Sequence, residues 1–97
     1  MQVQVITGGQ ATGKSTRLRA IQADLQKQGI EAPILVGQQW TTPYFVNLIA
    51  EKAMAGAKQF LADDCTQFQI KAAMNLQAQG IHSGMPSDFV VHLVRQA

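Results

Sequence analysis

The chain has 97 residues, 46% of them hydrophobic and 14% charged, with a net charge of +2, against roughly 25% charged in an average domain. That is one domain's worth of sequence, and its few basic residues are too scattered to make a nucleic-acid footprint. Cys65 is the single cysteine, which excludes an internal disulfide and a cysteine zinc site, and no apolar run nears the ~18 residues of a membrane span.

In chain order, Val3 to Thr7 alternates apolar and polar residues and predicts a strand. Directly after it, Gly8-Gly9-Gln10-Ala11-Thr12-Gly13-Lys14-Ser15 reads G-x-x-x-x-G-K-[ST], a phosphate-binding loop pattern. Gly8 and Gly13 permit backbone angles and close approaches that a Cβ would block. Loop N–H groups then line an anion-binding hollow. Lys14 adds a fixed positive charge for β- and γ-phosphates, and Ser15 offers a hydroxyl to Mg²⁺. Leu18, Ile21 and Leu25 recur at helical spacing and predict a helix over Lys14 to Gln28, stopped by Gly29. Its first turn adds free N–H donors and the positive end of the helix dipole.

Pro33 to Gly37 reads as a short buried strand and Gln38 to Thr42 as a loop. Thr42 suits an N-cap with Pro43 at the first helical position. That helix runs to about Ala55, with Phe45, Leu48 and Met54 as core residues, and Gly56 ends it. Gln59 to Ala62 is the third strand and stops at Asp63-Asp64. Thr66 and Gln69 form a capping box for a third helix, which carries Ile70, Ala73 and Met74 inward and ends at Gly80. Residues 81–87 make a loop, and Asp88 to Val94 a final strand. The order βαβαβαβ argues for a parallel α/β sheet.

Strand, glycine loop and helix together resemble the P-loop NTPase superfamily, with Gly8, Gly13, Lys14 and Ser15 carrying the resemblance. The resemblance implies a single nucleotide-binding domain over residues 1–97, a three-layer fold with a four-stranded parallel sheet. In the nucleotide-kinase type of this superfamily the acid-bearing strand neighbours the first, which implies strand order 2-3-1-4. Right-handed crossovers then place one helix on one face and two on the other. The first face is left thinly covered, in keeping with Gln2 and Gln4 in what should be a central strand. A second subunit or another protein is expected to cover it.

The resemblance also implies ATP and Mg²⁺. Gly8, Gly9, Gln10, Ala11, Thr12, Gly13, Lys14, Ser15 and Thr16 would hold the phosphates, Thr16 touching the α-phosphate. The superfamily's second motif is an apolar run ending in Asp. Gln59-Phe60-Leu61-Ala62-Asp63-Asp64 fits, though Gln59 weakens the run. Asp63 would join Ser15 on the metal and Asp64 would orient or deprotonate water, although two acids there also suit a strand end before a helix N-terminus. Gln38 or Gln39 could align the attacking water, against the plain reading of loop glutamines in a chain with fourteen.

Arg95 at the same edge could meet transferred phosphate or be an ordinary basic residue near a chain end, and Trp40 could stack on a base or pack on the rim. His82 and His92 stand alone and read as structural, and Cys65 as a small apolar filler. No Asn-Lys-x-Asp segment is present, which favours ATP over GTP. Only Arg17, Arg19 and Arg95 are arginines, too few for the arginine-rich lid of a nucleotide kinase.

The first reading is therefore a weak Mg-dependent ATPase. A small P-loop phosphotransferase, with the acceptor at residues 38–42, and a non-hydrolysing assembly module stand as alternatives. One cysteine and a Met1 that leads straight into a strand point to the cytoplasm.

Overall fold

The computed structural model describes residues 1–7, 14–83 and 86–96. The elements run β1 (Gln2–Ile6), α1 (Lys14–Lys27), β2 (Ile34–Val36), α2 (Thr42–Met54), β3 (Gln59–Cys65), α3 (Gln67–Ser83) and β4 (Val90–Arg95), with a 3-10 turn at Gly37–Gln39. All four strands are parallel, so each must be joined to the next by a crossover, and each helix serves as one.

The helix ends follow from local chemistry. Gly29 (φ +79°) and Gly56 (φ +90°) supply the left-handed residue after α1 and α2. Beyond each, the next N–H reaches back into the helix, Ile30 to the Leu25 carbonyl at 2.9 Å and Ala57 to the Lys52 carbonyl at 3.0 Å. The N-cap of α2 is Thr41 rather than Thr42, with Pro43 still in the first turn. α3 runs through Gly80 to Ser83, since one glycine costs a helix only about 1 kcal/mol.

The strand order is β1-β4-β3-β2, which corrects the expected 2-3-1-4. Burial explains the difference. Val91 to Val94 are all buried, on both faces of β4, and such a strand belongs inside a sheet. β1 exposes Gln2 and Gln4 and takes the edge instead. The acid-bearing strand β3 is thus separated from β1 by β4.

The helix distribution is as expected, because β1 to β2 still runs opposite to the two later crossovers. α2 and α3 pack Phe45, Ile49, Ala53, Ile70 and Ala73 against Phe60, Ala62, Val91 and Leu93. Phe45 meets Phe60 edge to face, with centroids 5.8 Å apart. On the other face α1 packs Leu18 and Leu25 against Ile6, Leu61 and Val94. Met54 and Met74 are exposed rather than core. Ala53 takes the inward position at the end of α2, and Ile70 and Ala73 take it on α3.

Candidate functional site

Ligands of parallel α/β sheets bind beyond the carboxyl ends of the strands. That edge brings together Thr7 after β1, Gly37 after β2, Asp63 and Asp64 in β3, and Arg95 at the end of β4. Two strand spacings, about 10 Å, separate the ends of β1 and β3. α1 bridges this gap. It must cross from the β1 edge to the β2 edge, and Leu18 in its second turn shares a core cluster with Ile6, Leu61 and Val94. The backbone of Lys14, Ser15 and Thr16 opens this helix. Residues 8–13 of the glycine loop lie outside the described residues, as do the side chains of Lys14, Ser15 and His82.

β3 does not stop before its acids but carries them within the strand, to Cys65. It does so by breaking register with β4. Ala62 pairs with Leu93 and Cys65 with Arg95, so three steps on β3 match two on β4. Such a bulge re-aims side chains. Asp64 has φ +54°, a left-handed conformation that aspartate tolerates better than most residues. Its N–H donates to Asp63 Oδ1 at 2.8 Å. Both carboxylates are half-buried.

Cys65, by contrast, is fully buried. Burial first, then the negative charge of Asp63, pushes its thiol pKa up to about 12. Its thiol stays protonated within the core.

The capping box of α3 forms as the spacing predicts: the Thr66 N–H donates to Gln69 Oε1 at 2.9 Å and the Gln69 N–H to Thr66 Oγ1 at 3.1 Å. Gln69 does more than cap. Its Nε2 donates to the carbonyls of Gly37 (2.6 Å) and Trp40 (2.9 Å), which ties the turn after β2 to α3. The approach is tight: a Cβ on Gly37 would lie 2.8 Å from Gln69 Oε1 and 3.0 Å from Cys65 Cα. This fixes the backbone around Gln38 and Gln39, which are exposed in the turn after Val36, the register partner of Asp63. Trp40 is exposed on the same turn. The second role of Gln69 left no mark in the sequence beyond the capping box.

His92 is buried, its Nε2 2.8 Å from Gln59 Oε1. It lies two register steps before Val94, away from the carboxyl edge.

Among the described residues no three His, Cys, Asp or Glu side chains are grouped to hold a metal ion. The donors at this edge are carboxylate oxygens, which suit a hard cation that keeps part of its water shell and takes other ligands from phosphate. No helix among the described residues is long and apolar enough to cross a membrane. Comparison with family models, with curated proteins and with solved structures returns no match.

Proposed function

We propose that the chain is a P-loop domain that binds ATP and hydrolyses it slowly with Mg²⁺. One observation carries this reading. In sequence the G-x-x-x-x-G-K-[ST] run connects β1 to α1, and β1 ends on the same sheet edge as Asp63 and Asp64. A parallel strand, this loop and a helix N-terminus are the context in which such a run binds phosphate.

In this reading the backbone of Gly8 to Gly13 and the Lys14 ammonium hold the β- and γ-phosphates. Asp63 and the Ser15 hydroxyl are oxygen donors fit for Mg²⁺, which when bound neutralises charge on the phosphate oxygens. Asp64 accepts a hydrogen bond from water and turns it toward the γ-phosphate, with the Gln38 amide as a second orienting group. Catalysis then rests on positioning and electrostatics. The Gln69 tether holds the Gln38 backbone, so the water-orienting groups sit on fixed elements. The exposed glutamines of β1 leave a polar stretch of the α1 face that a second subunit or another protein would cover.

Calorimetry with ATP, GTP and ADP, each with and without Mg²⁺, tests the reading. ATP should bind tightest with the metal, and Lys14→Ala should weaken binding at least tenfold. Equal ATP affinity in the Lys14→Ala protein would remove the basis of the assignment. Phosphate release from ATP with no added acceptor separates hydrolysis from transfer.

A further inference from the structure

β1 is an edge strand, and α3 runs beside it. Near the amino end of β1, Gln77 Oε1 accepts the Val3 N–H at 2.8 Å. Toward the carboxyl edge the two elements leave a cleft of about 330 Å³ between them, at the lower end of the range for small-molecule sites. Val5, Ile70 and Met74 form its apolar wall, and Thr7, Lys71 and Arg95 its polar rim. A second hollow of about 290 Å³, which includes Phe68 and Gln96, shares Arg95 with it.

The composition of this lining is selective. Among the described residues it holds two cations and no carboxylate. Lys71 is exposed and has no ion-pair partner among the described residues. Met74, half-exposed, is a long flexible side chain that adapts to the shape of an apolar guest. The cleft opens beside Thr7, the residue before the glycine loop.

We propose that this cleft binds a small organic oxyanion: a carboxylate or phosphate monoester on an apolar body. The anionic end lies against Lys71 and Arg95, within reach of the Thr7 hydroxyl. The apolar body lies on Val5, Ile70 and Met74. Ionic hydrogen bonds fix the orientation and apolar contact supplies the affinity. Binding here does not depend on a nucleotide at the glycine loop. It would place a second ligand next to that loop.

The test is a two-dimensional amide NMR titration of the full chain with three probes of similar size: phenyl phosphate, benzoate and benzyl alcohol. Both anions should shift the amides of Val5, Ile70, Lys71 and Met74 saturably, with dissociation constants of about a millimolar. Benzyl alcohol should bind at least about fivefold more weakly, because it lacks the charge. Lys71→Glu should weaken both anions about tenfold and leave benzyl alcohol unchanged, and Lys71→Met should fall between them. Lys14→Ala should leave the benzoate-induced shifts of Val5, Ile70, Lys71 and Met74 unchanged.

The proposal is overturned if the shifts centre on residues 8–16, if the neutral probe binds as well as the anions, or if the Lys71 variants bind the anions as the parent does. A protein that fails to bind ATP but keeps the anion shifts would lose the nucleotide reading alone.

Discussion

Gln69 Nε2 donates to the Gly37 carbonyl oxygen across 2.6 Å, joining the first turn of α3 to the turn after β2. The same side chain accepts from the Thr66 N–H and donates to the Trp40 carbonyl, so a buried amide spends all three polar contacts on backbone. Gln69→Leu keeps the volume and removes them. Loss of the cap costs about 1 kcal/mol, and loss of the two bonds to the Gly37 and Trp40 carbonyls costs about 1 kcal/mol each. Urea unfolding should show Gln69→Leu destabilised by about 3 kcal/mol. A cost below about 1 kcal/mol would mean that water replaces the tether.

Gly37→Ala tests the same contact from the other side. The new methyl meets Gln69 Oε1 at 2.8 Å and the Cys65 backbone at 3.0 Å. Overpacking of this kind costs about 1–3 kcal/mol. The two substitutions share a partner, so they should not add. Gly37→Ala should cost less in a Gln69→Ala protein than in the parent. Strict additivity in the double-mutant cycle would show that the Cys65 backbone alone excludes the methyl.

Asp64 combines a left-handed backbone with a carboxylate at the candidate site. A non-glycine residue there carries roughly 1 kcal/mol of strain, which Asp64→Gly relieves. If Asp64 orients water, that variant loses phosphate release while its melting temperature rises by a few degrees. Strain kept at the cost of stability is a mark of function. An Asp64→Gly protein with parental turnover would make the acid dispensable and leave the bulge as its own explanation.

Much of this architecture is legible locally. Gly29 and Gly56 announce helix ends, Thr66 and Gln69 announce a helix start, and the alternation of apolar runs gives the number of strands and helices. Strand order is not local. It depends on which strand is buried on both faces, and Asp88 to Val94, interrupted by His92, does not declare this as plainly as an all-apolar run. The β3 bulge has no signature either, since Ala62 to Cys65 pairs out of step only because β4 lies beside it. Lys71 looks like helix surface and Met74 like core, because the cleft beside them exists only when β1 takes the edge. The glycine loop itself was legible as a motif, and residues 8–13 lie outside the described structure.

His92 should make stability depend on pH in a defined window. Burial lowers its pKa below the ordinary 6.5, and Nδ1 is buried without a partner among the described atoms. The folded state therefore holds the neutral ring while the unfolded chain protonates at about 6.5, so the unfolded state binds more protons below that pH. Stability is full above about pH 6.5, falls as pH drops toward the lowered folded value, and levels off below it. Each pH unit inside the window removes at most about 1.4 kcal/mol. Asp88 shifts the opposite kind of group: Lys58 beside it lowers its pKa from 3.8, so its effect lies below about pH 4 and leaves the histidine window clear. Urea midpoints at pH 7.5, 6.0 and 5.0 should fall in the parent. They should stay level in His92→Leu, which removes the titrating ring together with its unpaired nitrogen and its bond to Gln59. A parent curve that is flat across this range, or a His92→Leu curve that falls in parallel with it, would show that the ring is protonated as readily inside the fold as outside it.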